Sequence, residues 1–170
     1  MPGIDTSRPF IPVRIAVLTV SDSRGLAEDR SGQTLIERLE TAGHILGDRK
    51  IVRDELTEIQ RVIKGWLIDP DIDVIISTEA ISVLLDKRIE GFGERFRQLS
   101  GDEIGSSTIQ SRCLGGLANA TVVFCLPGST GAVKDAWDDI LVHQLDYRFM
   151  PCNFVELFDR LQEHQKRSKD

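Results

Sequence analysis

The stretch RIAVLTV, Arg14–Val20, decides the fold, because its residues are almost all apolar. A strand with one face in water alternates apolar and polar side chains, whereas a parallel strand covered on both faces carries a nearly continuous apolar run. The stretch therefore predicts an interior strand of a parallel sheet, with helices packed on both sides.

Helix and strand patterns alternate after this strand. Residues from Ser31 onward predict a helix that Gly43 ends. GHILGDRKIVRD predicts a second strand with an interruption at Gly47, ELTEIQRVIKGWLI predicts a second helix, and residues 73–77 predict a third strand. The inward faces of the two helices are Leu35, Ile36, Leu39 and Ala42 in the first, and Ile59, Val62, Ile63, Trp66 and Leu67 in the second.

The C-terminal half continues the alternation. GGLANATVVFCLPG predicts a hairpin in which Asn119 takes a left-handed backbone, and the second strand of the hairpin is predicted to be interior. Ser129 or Thr130 is the predicted N-cap of a helix with an apolar face. That face consists of Val133, Ala136, Trp137, Ile140 and Leu141.

This order of elements predicts a single α/β domain over residues 13–162, a three-layer αβα arrangement with a mostly parallel sheet. Residues 1–12 contain three prolines, which break regular structure, and are predicted to be a flexible arm. Residues 163–170 are predicted to be a polar C-terminal tail.

The junction DVIISTEAISVLLDK, Asp73–Lys87, is physically awkward. Its first half reads as the third strand, and the apolar residues from Ile81 to Ile89 recur at helical spacing. No turn residue separates the strand, which ends near Thr78, from the helical pattern that starts after Glu79. A connection from strand to helix usually needs about 2–6 residues. The pattern predicts a strand and a helix whose connecting loop is missing.

The charge balance limits the possible partners. The chain has 170 residues, of which 27 are acidic and 21 basic, for a net charge of −6. This balance argues against general nucleic-acid binding, which needs a basic surface. No apolar run approaches membrane-spanning length, and the N-terminus lacks a signal-peptide pattern, so no membrane partner is expected. An anionic ligand must therefore be held by local donors.

Cysteine and histidine spacing indicates neither a disulfide framework nor a metal site. An odd number of cysteines without a C-x-x-C pair is typical of reduced, cytoplasmic thiols. The three histidines lie far apart, so each is expected on the surface or satisfied in the core. These residues are Cys113, Cys125 and Cys152, and His44, His143 and His164.

Ligands of such a sheet bind where parallel strands end and helices begin. In LPGSTG, Pro127 and Gly128 lead to a helix start at Ser129, and helix N-termini bind phosphate well. Ordinary capping explains the same residues. The G-x-x-x-x-G-K-[ST] pattern of a P-loop is absent from the sequence.

The first two loops at this edge are polar. Ser21, Asp22 and Arg24 could supply a hydroxyl, a carboxylate and a cation to a ligand, or could form a solvated turn. Asp54 and Glu55 could hold Mg²⁺, or could complement the positive end of the helix that follows them. At this point both interpretations of each loop stay open.

The stretch GFGERFRQLSGDEIGSSTIQSRC places Phe92 between Gly91 and Gly93, and later places several hydroxyl residues beside Arg112. Phe92 could anchor a subunit contact or be tucked under its own domain.

Six motifs together resemble the MoaB/MogA family of molybdenum cofactor biosynthesis, and within it the bacterial MoaB proteins. They fall in the order of the family and run across nearly the whole chain. The motifs are FIPVRIAVLTVSDSR, AGH, DVIIST, EGFGERFRQLSGDEIGSSTIQSR, GLANATVVFCLPGST and PCNF.

The resemblance implies a three-layer α/β domain that forms a homotrimer or homohexamer and binds molybdopterin. In active relatives, Mg²⁺ and ATP adenylylate the terminal phosphate of this pterin. Asp54 would be the catalytic and metal-binding residue. The implied substrate and nucleotide contacts are Ser21, Asp22, Ser77, Thr78, Glu94, Pro127, Gly128 and Ser129.

Members of the family carry a glycine-rich loop resembling T-G-G-T-G after the third strand, followed by an R-D-x-T-P run. Here Thr78 is joined directly to Glu79. The missing segment would hold a backbone cradle for phosphate and a second essential aspartate. Either the protein lacks it, which would abolish catalysis, or it belongs to the molecule although the sequence omits it. The usual length of strand-to-helix connections favours the second explanation.

With the loop present, we expect the protein to bind molybdopterin and to adenylylate it with Mg-ATP, by in-line attack of the pterin phosphate on the α-phosphorus of ATP. The alternative is a non-catalytic oligomer that binds or carries the pterin. A purely structural subunit is a weaker option.

Overall fold

A computed structural model describes residues 1–23, 25–79 and 81–167 of the chain. Six strands form one sheet in the order β3-β2-β4-β7-β6-β5, and β1 pairs with β8 separately. The strands are β1 (Gly3–Ile4), β2 (Arg14–Val20), β3 (Ile45–Val52), β4 (Val74–Ser77), β5 (Lys87–Ile89), β6 (Leu114–Ala118), β7 (Thr121–Cys125) and β8 (Phe149–Met150). Strands β3, β2, β4 and β7 run parallel, while β6 and β5 extend the sheet antiparallel. The predicted mostly parallel sheet is confirmed.

Helices cover both faces of the sheet. They are α1 (Arg30–Thr41), α2 (Leu56–Leu67), α3 (Glu90–Ile104), α4 (Thr130–Ala136), α5 (Val142–Gln144) and α6 (Phe158–Arg167). A π-helical segment, Trp137–Leu141, joins α4 to α5, so the helix that starts at Thr130 continues to Gln144. In the described part of the chain, none of the helices has the length and apolar character needed to cross a membrane.

The core lies in two layers because β2 is buried on both faces. Ile15 and Val17 pack in one cluster with α1, α3 and the helix from Thr130. Ala16 and Leu18 pack in the other cluster with α2. The uninterrupted apolar run of β2 thus produces the three-layer αβα architecture that the sequence predicted.

Two local predictions about the backbone are confirmed. The pairing of β2 with β3 shifts register so that Leu46 and Asp48 take successive partners, which leaves Gly47 as the extra residue of a bulge. The β6–β7 hairpin turns at Asn119, whose φ of 45° is left-handed. Ala120 follows at φ 65°, so both central residues match the turn that favours a hairpin twist.

The helix predicted from Ile81 to Ile89 is wrong. The chain there forms a 3₁₀ turn, Ser82–Leu84, and then β5, which pairs antiparallel with β6. The apolar residues that suggested a helix instead serve the sheet, because Ile81 is buried and Leu85 packs directly against Gly116. The edge of β6 offers backbone hydrogen bonds to a further strand. Pairing with this edge outweighs the helical spacing of the apolar residues in the local sequence.

Helix α3 begins one residue after β5, so the GFG motif lies in its first turn and not in a loop. Phe92 is buried, and its ring centroid lies 4.7 Å from that of Phe124. Of the two roles considered for Phe92, the structure therefore supports packing under its own domain.

The N-terminal arm contacts the body of the protein. Strand β1 pairs with β8, the Arg8 guanidinium donates to Glu156 at 2.6 Å, and its carbon lies 3.9 Å from the centroid of the Tyr147 ring. The flexibility of the arm stays a prediction, as do the domain boundaries. Helix α6 includes residues 163–167 of the predicted tail, and residues 168–170 lie outside the described chain.

Candidate functional site

The carboxyl ends of the four parallel strands meet at one edge of the sheet. The loops that start there follow β2, β3, β4 and β7. These loops and the last residue of β4 carry eight of the nine predicted site residues: Ser21, Asp22, Asp54, Ser77, Thr78, Pro127, Gly128 and Ser129. The prediction that these residues share one edge is confirmed, whereas their roles need the geometry below. Arg24, which was considered as a cation for this edge, lies outside the described residues.

A cavity of about 220 Å³ opens at this edge between the ends of β4 and β7 and the segment before β6. Its lining residues are Thr78, Glu79, Gln110, Ser111, Arg112, Leu126, Pro127 and Gly128. Three predicted residues, Thr78, Pro127 and Gly128, line this cavity. Gln110, Ser111 and Arg112 do so as well, although the sequence did not assign them to the site.

Backbone contacts fix the floor of the cavity. The Leu126 N–H donates to the Ser77 carbonyl at 2.8 Å, and the Thr78 N–H donates to the Leu18 carbonyl at 3.0 Å. The Thr78 hydroxyl accepts from the Val20 N–H at 3.0 Å. Ser77 is completely buried and Thr78 is buried, so these two residues hold neighbouring strands together. This position does not support the direct ligand contact implied for Ser77.

The turn after β7 leads into the helix through an N-cap. The Ser129 hydroxyl accepts from the Ala132 N–H at 3.2 Å, and the Ser129 carbonyl accepts from the Val133 N–H at 3.1 Å. The capping interpretation is thus confirmed for Ser129, and Thr130 is the first helical residue. Because this helix continues for four turns, its N-terminus still presents a positive dipole end to the edge.

Asp22 and Asp54 are neighbours at the other end of the edge. The Asp54 N–H donates to the Asp22 carboxylate at 3.0 Å, and both residues are exposed. The loops after β2 and β3 are therefore joined, and Ser21 is tied down by its N–H, which donates to the Val52 carbonyl at 2.9 Å. Within residues 1–23, 25–79 and 81–167, no group of three or more His, Cys, Asp or Glu side chains is arranged to hold a metal ion.

The sheet order separates the predicted residues into two groups. Three strand spacings of about 4.8 Å put Asp54, after β3, about 14 Å from the turn after β7. Glu94 is exposed in the second turn of α3, which follows β5, and β5 lies two strands beyond β7 in the sheet. A ligand that touched both Asp54 and Gly128 would have to extend along the edge.

Arg112 supplies a positive charge to the cavity and forms an ion pair with Glu79. The Nη2 atom of Arg112 lies 2.9 Å from one carboxylate oxygen of Glu79 and 3.0 Å from the other. The Arg112 side chain is 73% exposed and that of Glu79 is 18% exposed. The segment before β6 reaches this edge because β6 runs antiparallel to β7. The hairpin predicted around Asn119 implies this antiparallel pairing, so it was the sequence feature that could have placed Arg112 at this edge.

The two buried cysteines near the cavity are unreactive thiols. Burial raises the pKa of the Cys125 thiol to about 12, with the Glu79 carboxylate adding to the effect. Burial likewise raises the pKa of Cys113. The thiolate is the nucleophilic form, so both side chains act here as small apolar groups. All three cysteines are free, as the sequence predicted.

The full sequence of 170 residues joins Thr78 directly to Glu79. The expectation that a glycine-rich loop belongs to the molecule at this point stays a prediction. The chain turns from β4 without it, because the Glu79 N–H folds back onto the Ser77 hydroxyl at 3.2 Å and the chain then runs to β5 at the far side of the sheet.

Fold and edge cavity together define a three-layer α/β ligand-binding domain with local donors for an anion. Residues 16–147 match the family model described as "Probable molybdopterin binding domain". This match covers most of the chain, and the chain belongs to that family. Its role is in molybdenum cofactor biosynthesis, and the resemblance seen in the motifs is confirmed.

Several relatives are similar over most of their length. "Molybdenum cofactor biosynthesis protein B" of Escherichia coli K12 is 44% identical over 160 residues, which cover 87% of this chain and 94% of the relative. A crystal structure of a protein with that name superposes with a TM-score of 0.80 at 35% identity, covering 92% of this chain and 99% of the other. The tungsten cofactor synthesizing protein MoaB of Pyrococcus furiosus gives 0.68 at 32% identity, covering 76% and 91%.

The sequence alignment with the Escherichia coli relative gives the length of the missing segment. It spans 160 positions but uses only 87% of this 170-residue chain, so about a dozen positions of the Escherichia coli relative have no counterpart here. That is the size expected of a functional loop with its flanking run. The family motifs have their glycine-rich loop after the third strand, so the Thr78–Glu79 junction is the expected position of these unmatched residues.

Proposed function

We propose that this protein binds molybdopterin at the carboxyl edge of its sheet, with the terminal phosphate of the pterin in the cavity beside Gly128 and Arg112. The observation that supports the proposal is that an arginine and the turn that leads into a helix N-terminus line one cavity. Backbone N–H groups at a helix start and a guanidinium are the donors that phosphate prefers in proteins.

The bound pterin is held and not adenylylated. The phosphate cradle and the second aspartate that the family resemblance assigns to catalysis belong to the segment that the 170-residue sequence omits between Thr78 and Glu79. The hydroxyl of Thr78 and the buried side chain of Ser77 are already used in the fold, so they are poor replacements for a glycine-rich cradle. The protein would then bind or carry the pterin for another enzyme of the pathway.

Adenylyl transfer is the second candidate, and the adjacency of Asp22 and Asp54 favours it. Mg²⁺ is usually bound through one or two carboxylates together with substrate phosphates, and this pair fits that requirement. The ion would neutralise phosphate charge. A pterin phosphate oxygen would attack the α-phosphorus of ATP, and pyrophosphate would leave with the bonding electrons.

One experiment separates the two functions. The purified protein is titrated anaerobically with molybdopterin, and the same mixture is then incubated with Mg²⁺ and ATP labelled at the α-phosphate. We expect saturable pterin binding and no labelled pterin. Absence of binding would overturn the proposal, whereas labelled adenylylated pterin with matching pyrophosphate would replace the carrier function by the transferase.

Two further expectations belong to the same proposal. We infer a homotrimer or homohexamer, as the family resemblance implies, and a cytoplasmic location, for which the three free cysteines are typical. Native mass spectrometry tests the first of these directly, because a monomer at micromolar concentration would contradict it.

A further inference from the structure

The Glu79 carboxylate lies inside the cavity that the proposed function gives to a phosphate. Both its oxygen atoms are within 3.0 Å of Nη2 of Arg112, and the side chain is largely buried. A carboxylate and a phosphate are both anions that accept hydrogen bonds from guanidinium. Glu79 therefore holds the position on Arg112 that an anionic ligand would need.

The direct junction with β4 fixes where Glu79 lies. Its N–H donates to the Ser77 hydroxyl, and Thr78 is held on β2 by its own N–H and hydroxyl. With neighbours so constrained, the Glu79 side chain has little choice of direction. A loop of a dozen residues at this junction would separate Glu79 from the end of β4.

The geometry of the ion pair makes it displaceable. An ideal arginine–carboxylate pair uses two nitrogen atoms for two oxygen atoms, whereas the contacts of the two Glu79 oxygen atoms at 2.9 and 3.0 Å are both with Nη2 of Arg112. Arg112 is mostly exposed, and ion pairs with such an exposed partner are weak. A phosphate, with three acceptor oxygens, can match the guanidinium better than this carboxylate does.

We propose that Glu79 is a built-in competitor of the ligand: it occupies Arg112 in the free protein, and the terminal phosphate of the bound pterin takes its place on Arg112. This inference rests on the proposed function, since it concerns the phosphate end of the same site. Glu79 thereby sets the affinity for phosphorylated pterin, and Arg112 is the residue that recognises the phosphate.

Two variants with opposite effects test the inference. Glu79→Gln removes the competing charge and should bind molybdopterin about fivefold more tightly, the factor expected from one weak ion pair. Arg112→Ala removes a charged hydrogen-bond donor and should bind at least about tenfold more weakly. Asp138→Asn is the matched control, because Asp138 pairs with Arg38 at 2.8 Å on the helices and away from the cavity.

The titrations use two ligands under anaerobic conditions, molybdopterin and its dephosphorylated form. The effects of both substitutions should vanish with the dephosphorylated pterin, and Asp138→Asn should bind both ligands as the original protein does. Circular dichroism and thermal unfolding verify that each variant is folded.

The outcomes distinguish the inference from the function on which it rests. Binding by the original protein that Glu79→Gln leaves unchanged or weakens would overturn the competition while the pterin-binding function stands. Changes of equal size for both ligands would overturn phosphate recognition by Arg112. Failure of the original protein and of Glu79→Gln to bind either ligand would overturn the proposed function together with the inference.

Discussion

Replacing Asp29 with alanine tests whether one buried carboxylate holds the loop that carries Ser21 and Asp22. The Asp29 side chain is fully buried at the N-terminus of α1. Its oxygen atoms accept from the Gly32 N–H at 2.8 Å, from the Thr19 hydroxyl at 2.8 Å and from Nη2 of Arg49 at 3.1 Å.

The magnitude follows from these contacts. Loss of an N-cap costs about 1 kcal/mol. Removal of one partner of a buried ion pair costs about 3–5 kcal/mol, and the lower end applies because the Arg49 side chain is still 18% exposed. We expect Asp29→Ala to lower the free energy of unfolding by about 3–4 kcal/mol. Asp29→Asn keeps a good capping group but loses the charge, so it should cost about 1–2 kcal/mol.

Urea unfolding, followed by circular dichroism at fixed protein concentration, measures both values, with the exposed pair of Asp138 as control. Asp138→Ala should cost less than about 1 kcal/mol. The reasoning is refuted if Asp29→Ala costs no more than Asp138→Ala, or if Asp29→Asn and Asp29→Ala are equally destabilised.

The carboxylate also gives a pH dependence with a defined sign. Burial alone would raise the pKa of Asp29, but the hydrogen bonds from Gly32, Thr19 and Arg49 outweigh it and hold the pKa below its ordinary value. A depressed pKa in the folded state means that the stabilisation is present above the pKa of the unfolded chain and is lost as the pH falls through the folded value. In Asp29→Asn the acid-induced loss of stability below about pH 4 should be smaller.

Three further predictions concern other parts of the fold. Burial lowers the pKa of His44, and the nearby Asp146 carboxylate offsets part of this effect. The free energy of unfolding should therefore fall as the pH drops below about 6.5, by up to about 1.4 kcal/mol per pH unit. Urea titrations between pH 7.5 and 5.5 should show a flatter profile for His44→Asn. Gly93→Ala should destabilise the protein by about 1–3 kcal/mol, because the added carbon would lie 2.5 Å from the Cys113 carbonyl. Gly65→Ala, its control in α2, has open space around it and should raise the unfolding free energy by about 0.5–1 kcal/mol. Insertion of a twelve-residue glycine-rich loop between Thr78 and Glu79 should weaken the Glu79–Arg112 pair, and a crystal structure of that variant with the pair intact would contradict this expectation.

Local signals were sufficient for most of the fold. The apolar run of β2, the bulge at Gly47 and the turn at Asn119 each depend on chemistry within a few residues, so the sequence could predict them. The helix predicted from Ile81 to Ile89 failed for the opposite reason. Its apolar spacing is local, but β5 exists because β6 offers an unpaired edge more than twenty residues later in the chain.

The candidate site was predictable only as far as strand order allows. Parallel strands bring Asp22, Asp54 and Gly128 to one edge, and the alternation of strands and helices in the sequence predicts that these strands are parallel. Arg112 was missed because its place depends on an antiparallel strand. The ligand contact implied for Ser77 stays a prediction, and a motif does not reveal that its side chain is buried and accepts from the Glu79 N–H.

The crystal structure of the complex with molybdopterin, grown anaerobically, tests the central claim most directly. We predict the pterin at the carboxyl edge of the sheet, its terminal phosphate within hydrogen-bond distance of Arg112 and of the backbone around Gly128, and the Glu79 carboxylate moved off Arg112. A pterin bound elsewhere, or one seated at this edge with the Glu79–Arg112 pair still closed and the phosphate in solvent, would contradict it.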